Sequence, residues 1–177
     1  MDARQDALAG AARILLALRD AARAEEGMTV NVGRLHVEPA GPNVIPGVAR
    51  FTVDIRSPRP DGPWRTDELV RRTVSEVAVA EGLEAQVDGT FVHPPVALDR
   101  ELRSLLARHV AAAGAEVVEI PSGAGHDAMV VAAHVPAAML FVPSRAGVSH
   151  APDEYTPPEL YEPALTVLTA AVAELAG

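Results

Sequence analysis

The hydrophobic pattern of this chain changes its rule at one point, His93-Pro94-Pro95. Proline carries no backbone N–H and restricts the residue before it, so consecutive prolines break helices and ladders alike. Upstream of the pair, one helical stripe is followed by two strands, a second helix and a third strand, which is α+β in style. Downstream, helices alternate with short, almost wholly apolar runs of the kind that strands buried on both faces carry, which is α/β in style. Two units are therefore expected, 1–95 and 96–177.

In the first unit, Leu8, Ala11, Ala12, Leu15, Leu16 and Ala22 recur at helical spacing, and Gly27 supplies a stop. From Met28 to Glu38, Val30 and Val32 share one parity while Leu35 and Val37 take the other, with Gly33 at the switch. That pattern predicts a strand with a bulge at the glycine. Arg50 to Arg56 alternates strictly, with Phe51, Val53 and Ile55 on one face and Arg50, Thr52, Asp54 and Arg56 on the other. A second helix is predicted with Thr66 as its cap, Asp67 and Glu68 in its first turn, Val70, Val74, Val77 and Ala78 inward and Gly82 at its end. Leu83 to Val92 reads as a further strand.

In the second unit the same reasoning gives a helix over 99–113, a strand over 117–120, a short helix over about 126–134 and a strand over 137–142. A loop from Pro143 to Pro157 leads to a final helix from Pro158. Its expected buried stripe is Tyr161, Ala164, Leu165, Leu168, Ala171, Val172 and Leu175. No internal repeat is present.

Composition removes several function classes. Across 177 residues the net charge is −9, which repels a phosphate backbone or an anionic membrane surface, so nucleic-acid binding is not expected. All 15 basic residues are arginine, which excludes a P-loop lysine, a Schiff base and a lysine general base. With no cysteine, any metal must be held by His, Asp or Glu. The first residues carry charge where a signal peptide needs an apolar core, and no apolar run approaches the roughly 18 residues of a membrane span. A soluble, cytoplasmic protein is expected.

Chemistry concentrates in three loops. Asn43-Val44-Ile45-Pro46-Gly47 stands 13 residues ahead of Arg56, so an amide donor and a planar guanidinium could together grip a carboxylate. On spacing alone the plainer reading prevails: a turn asparagine, and a surface ion pair between Arg56 and Asp54. Pro121-Ser122-Gly123-Ala124-Gly125-His126-Asp127 lies between an apolar strand and a helix, where α/β folds present loops to ligands. His126 could donate to a developing oxyanion there, or simply bond the helix terminus. Pro143 to Glu154 again follows an apolar strand and contains His150, a candidate metal ligand that alone proves nothing. His36, His93, His109 and His134 have no partners at ligand spacing and read as structural or surface residues, and Glu25-Glu26-Gly27 reads as a solvated helix end.

Taken together and in order, "NVIPGVARFTVDIRSP", "PSGAGHDA" and "FVPSRAGVSHAPDEYT" resemble the carbamoylase branch of the dinuclear-metal aminoacylase and carboxypeptidase superfamily. This branch comprises N-carbamoyl-L-amino-acid hydrolases, β-ureidopropionases and allantoate amidohydrolases. The resemblance covers essentially the whole chain. It implies a ferredoxin-like lid and dimerisation domain over 1–95, lacking its first strand, and the C-terminal part of a three-layer α/β catalytic domain over 96–177. It further implies that Asn43 and Arg56 bind the substrate carboxylate, that His126 contacts the substrate or its tetrahedral intermediate, and that His150 is a metal ligand. Ala146 stands where the family commonly has glycine.

The resemblance also implies groups not found in this sequence: the remaining His, Asp and Glu ligands of two divalent ions (zinc, manganese, cobalt or nickel) and a glutamate general base. Two bridged ions lie about 3.5 to 4 Å apart and need several ligands, so one histidine does not hold them. The expectation is a C-terminal portion of a metal-dependent amidohydrolase that cleaves carbamoyl or ureido C–N bonds of small carboxylate-bearing substrates. Alone it is expected to be inactive, and to form a homodimer through the lid or to pair with a complementing N-terminal half. The alternatives are a non-catalytic dimerisation and carboxylate-binding module, or a truncated gene product.

Overall fold

The computed structural model describes residues 4–89 and 93–177. The chain divides into two compact units, Met1–Pro95 and Val96–Gly177.

The first unit is built from α1 (Ala7–Ala24), β1 (Thr29–Glu38), β2 (Val48–Arg56) and α2 (Gly62–Glu81). Asp6 caps α1, its carboxylate accepting from the backbone N–H groups of Leu8 and Ala9 at 3.1 and 3.0 Å, which satisfies two of the donors a helix start leaves open. The buried line of α1 runs through Ala11, Ile14, Leu18 and Ala22. It is rotated from the expected stripe, because Leu8 and Leu16 face solvent and Ile14 and Leu18 take the centre. Gly10 is also buried on this helix, and a Cβ there would meet the Leu83 side chain at 2.3 Å. The glycine lets the segment after α2 pass close to α1.

β1 and β2 pair antiparallel, with Val30 opposite Ile55 and Leu35 opposite Phe51. The register slips between Asn31 and Arg34, the bulge expected at Gly33. The extra residue is why the apolar positions of β1 change parity yet stay on one face. That face rests on the helices: Val30, Phe51 and Val53 pack against a centre of Ile14, Leu18 and Val74. The opposite face carries the polar row of β2 and is open.

α2 begins five residues earlier than the Thr66 cap implies. Asp61 is its N-cap, without a side-chain bond to the helix's N–H groups, and a proline occupies the first turn, where a missing N–H costs nothing. Thr66 is instead buried within the helix, and its hydroxyl donates to the Pro63 carbonyl at 2.8 Å. Gly82 ends α2 with φ 64°, the left-handed turn that favours glycine.

The strand expected over 83–92 does not form in the part of it that is described, 83–89; residues 90–92 lie outside the described residues. Val87 still packs against the core, but no ladder partner is available to this segment among the described residues. A strand exists only as half of a ladder, so apolar alternation without a neighbour leaves irregular chain.

The second unit contains α3 (Arg100–Ala112), the short α4 (Asp127–Val131) and α5 (Pro158–Ala176). Asp99 caps α3 by accepting from the Leu102 N–H at 2.8 Å. α3 and α5 pack through Leu105, Val167 and Ala171. At their ends the Arg108 guanidinium and the His109 ring lie 2.6 and 2.9 Å from the two oxygens of Glu174. Desolvation pushes the Glu174 carboxyl up, but these bonds outweigh it and hold the group below the usual range. α4 stops short of the expected His134.

Two strands expected here are absent for the same reason as in the first unit. Residues 117–120 and 137–142 join no ladder, and Val118 and Ile120 are well exposed. The stripe expected on α5 is corrected too: of its members only Ala171 is buried, while Leu165, Leu168, Val172 and Leu175 face outward. No described helix is long and apolar enough to cross a membrane.

Candidate active site

The open face of the hairpin carries Arg56. Its guanidinium engages Asp54 through two bonds, Nε to Oδ1 at 3.0 Å and Nη2 to Oδ2 at 2.7 Å. The Arg56 hydrogen bond, helped by its charge, lowers the Asp54 pKa, and Asp54 raises that of Arg56 in return. Both side chains are half exposed, so the pair is worth little, about 0 to 1 kcal/mol, and a competing carboxylate can displace it. The side chain is thus oriented by an acidic neighbour in a plane that suits an incoming carboxylate.

Asn43 is exposed in the turn between the strands. The ladder sets Glu38 opposite Val48 at the turn end and Thr29 opposite Arg56 at the other. With a rise of about 3.3 Å per residue, the strand carries Arg56 far from that turn. Within one copy the structure does not bring Asn43 and Arg56 together.

His126 immediately precedes α4 in extended conformation and makes no side-chain cap bond. Nε2 lies 2.6 Å from the Ser122 hydroxyl. Phe141 meets the ring edge-on, with centroids 5.6 Å apart and planes at 63°, a favoured aromatic arrangement. A Cβ built on Gly123 or Gly125 would meet nothing within 4 Å. The space beside this loop is open. Ser122 and Phe141 were not singled out from the sequence as site residues, although Ser122 lies one turn of chain before His126.

His150 sits in a strained loop. Its φ is 56° and that of Ala146 is 57°, both in the left-handed region, with Gly147 at 69° between them. Glu154 holds the conformation by accepting from the His150 backbone N–H at 2.9 Å. The Arg145 guanidinium lies over the Tyr155 ring, 5.5 Å from its centroid, and the Arg145 N–H donates to the Tyr155 carbonyl at 2.8 Å. An L-residue held at positive φ costs about 1 to 2 kcal/mol.

At Ala146 that cost is avoidable. Ala146→Gly removes the strain but adds about 0.4 to 1 kcal/mol of unfolded-chain entropy. The expected result is a denaturation midpoint equal to or slightly above that of the parent, whereas Ala146→Val lowers it clearly. Urea titration of the three proteins by circular dichroism checks this, and a glycine variant less stable than the valine variant would refute it.

Among the described residues no three side chains of His, Cys, Asp or Glu come together in a group that could hold a metal ion. The residues described here therefore do not themselves fit the two-ion centre that the resemblance implies. His150 offers one imidazole to such a centre, and no step of the chemistry below is routed through an ion.

The solved amidase of the hydantoinase/carbamoylase family from Burkholderia multivorans superposes on 97% of this chain with a TM-score of 0.90 and 35% identity, the match covering 42% of that structure. Residues 2–174 match the model of peptidase family M20/M25/M40, and the chain belongs to that family. Among its relatives, the allantoate amidohydrolase of Bacillus subtilis is 34% identical over 98% of the chain and 42% of its own length. The N-carbamoyl-L-amino-acid amidohydrolase of Paenarthrobacter aurescens is 38% identical over 88% of the chain and 38% of its own length. The chain thus spans about two fifths of each of these relatives.

Proposed function

We propose that these 177 residues are the C-terminal portion of a metal-dependent amidohydrolase that cleaves the carbamoyl or ureido C–N bond of a small carboxylate-bearing substrate. The observation that carries the reading is the match, over nearly the whole chain, to relatives named for hydrolysis of allantoate and of N-carbamoyl-L-amino acids. Residues 1–95 act as the lid and dimerisation domain and residues 96–177 as part of the catalytic domain.

Each side chain has a task that its chemistry suits. Arg56 exchanges Asp54 for the substrate carboxylate, a charge-assisted bond from a planar fork. His126 donates to the oxygen that becomes negative as the carbonyl is attacked, where a positioned donor is worth most. His150 supplies one ligand to the divalent ions, whose remaining ligands and general base come from outside these residues. Asn43 lies too far along the hairpin to share one carboxylate with Arg56 of its own copy, so Asn43 of a second copy completes the grip in a lid-mediated dimer.

The test joins this chain to the part of the Bacillus subtilis relative that it does not cover. The joined protein is expected to hydrolyse N-carbamoyl amino acids or allantoate and to lose that activity to a chelator. The 177 residues alone are expected to turn over neither. Co-expressed Asn43→Ala and Arg56→Ala copies should recover part of the activity that each variant loses by itself. A folded, metal-loaded joined protein without turnover of either substrate would leave the non-catalytic dimerisation module as the better reading.

A further inference from the structure

The loop that carries His126 contains a second polar side chain aimed at it. Ser122 Oγ lies 2.6 Å from His126 Nε2, accepts from the Ala124 N–H at 3.2 Å and stands 3.4 Å from the Ala124 carbonyl oxygen. A serine hydroxyl has one proton to give. Two arrangements of it are possible. Either the hydroxyl donates to Nε2 while accepting from Ala124 N–H, or the ring donates from Nε2 and the hydroxyl turns to the Ala124 carbonyl.

The distances favour the first. An O–H donor bonds best at about 2.7 to 2.8 Å and weakly beyond 3.2 Å. Donation to Nε2 uses the short contact and keeps the Ala124 N–H satisfied, whereas the reverse arrangement sends the proton along the longest contact of the three. A neutral imidazole that accepts at Nε2 must carry its proton on Nδ1. Phe141, packed edge-on against the ring, restrains its plane. Because His126 does not cap α4, no backbone N–H of the helix start requires a lone pair on Nδ1.

We propose that Ser122 is a positioning residue: its hydroxyl fixes neutral His126 as the Nδ1–H tautomer, so that Nδ1 is the donor facing the reacting carbonyl. The inference rests on the reading of His126 as an oxyanion donor and adds which ring nitrogen does the work and what enforces it. The five residues from Ser122 to His126, two of them glycine, form the unit that matters.

The experiment has two parts, chosen so that failure of the tautomer and failure of the His126 reading can be told apart. In the first, the full 177-residue chain is labelled with 15N at histidine and two-bond 1H–15N correlations are recorded at a pH where the ring is neutral, with His126→Gln to assign the signals. Nδ1–H is expected in the parent and in Ser122→Thr, and a shift toward Nε2–H in Ser122→Ala, with circular dichroism unchanged throughout. An Nε2–H parent, or a tautomer indifferent to Ser122→Ala, overturns the proposal. In the second part the joined enzyme carries the same substitutions. Ser122→Ala is expected to lower kcat about tenfold, the worth of one hydrogen bond, with KM little changed and with recovery in Ser122→Thr. If His126→Ala lowers kcat and Ser122→Ala does not, the positioning role is wrong and the oxyanion reading stands. If neither lowers it, the reading of His126 falls and the proposal with it.

Discussion

Leu18→Ala is expected to destabilise the first unit by about 2 to 5 kcal/mol, the range for removing a buried leucine and leaving a cavity behind. Leu18 is fully buried, with 0% exposure, between Ile14 and Val74 at the junction of α1, α2 and the hairpin. Such a loss is a large part of what a small domain has. Leu16→Ala, two residues along the same helix but half exposed, should cost under about 0.5 kcal/mol. The single tryptophan, Trp64, lies in α2, so its fluorescence during urea unfolding reports on this unit. Equal midpoints for the two variants would mean that the core of the first unit is not where the structure places it.

His126→Ala in the joined enzyme is expected to lower kcat by about 10² to 10³, the usual effect of removing one donor to a developing oxyanion. KM should change much less, because the contact strengthens only as charge builds on the oxygen. Phe141→Ala, which removes the ring beside His126 without touching its nitrogens, should give a smaller loss of the same kind. Steady-state kinetics on one carbamoyl substrate separate the cases. A kcat within a few-fold of the parent for His126→Ala would remove this histidine from the chemistry.

Much of the fold was legible because it is local. The stop at Gly82 and the bulge at Gly33 each follow from the conformational needs of a few neighbouring residues. The strands expected over 83–92, 117–120 and 137–142 were misjudged for the opposite reason. Alternation and apolarity mark a segment that can enter a sheet, but the ladder depends on a neighbour, and none is described beside these segments. The same dependence misled the reading of α5, where a stripe of Leu165, Leu168, Val172 and Leu175 promises burial and α3 covers a different edge. Thr66 shows how a good capping residue can be passed over when a proline in the preceding turn starts the helix earlier.

Site residues divide in the same way. Spacing along β2 places Arg56 and Asp54 on one face, and the ion pair between them follows directly. The joint role of Asn43 and Arg56 came from the resemblance, not from spacing, and within one copy the register holds the two apart, because thirteen residues that include a whole strand carry the chain from one end of the hairpin to the other. Ser122 could have been found from the sequence: a hydroxyl four residues before a histidine in a glycine-rich turn is within reach of its ring. The left-handed φ of Ala146 had no signal beyond the glycine expected there, since alanine does not favour that conformation, and the moderate enrichment of histidine at positive φ does not single out His150.

Recognition of a substrate carboxylate by Arg56 is the centre of the proposed function. The direct measurement is kcat/KM of the joined enzyme for an N-carbamoyl amino acid and for its methyl ester, in the parent and in Arg56→Ala. The free acid should lose about ten- to a hundredfold in the variant, corresponding to the roughly 1.5 to 3 kcal/mol of a charge-assisted bond. Arg56→Lys should recover only part of this, because an ammonium cannot present a planar fork. The ester should be as poor a substrate for the parent as the acid is for Arg56→Ala, and the substitution should make it little worse. Equal processing of acid and ester by the parent enzyme would contradict the account.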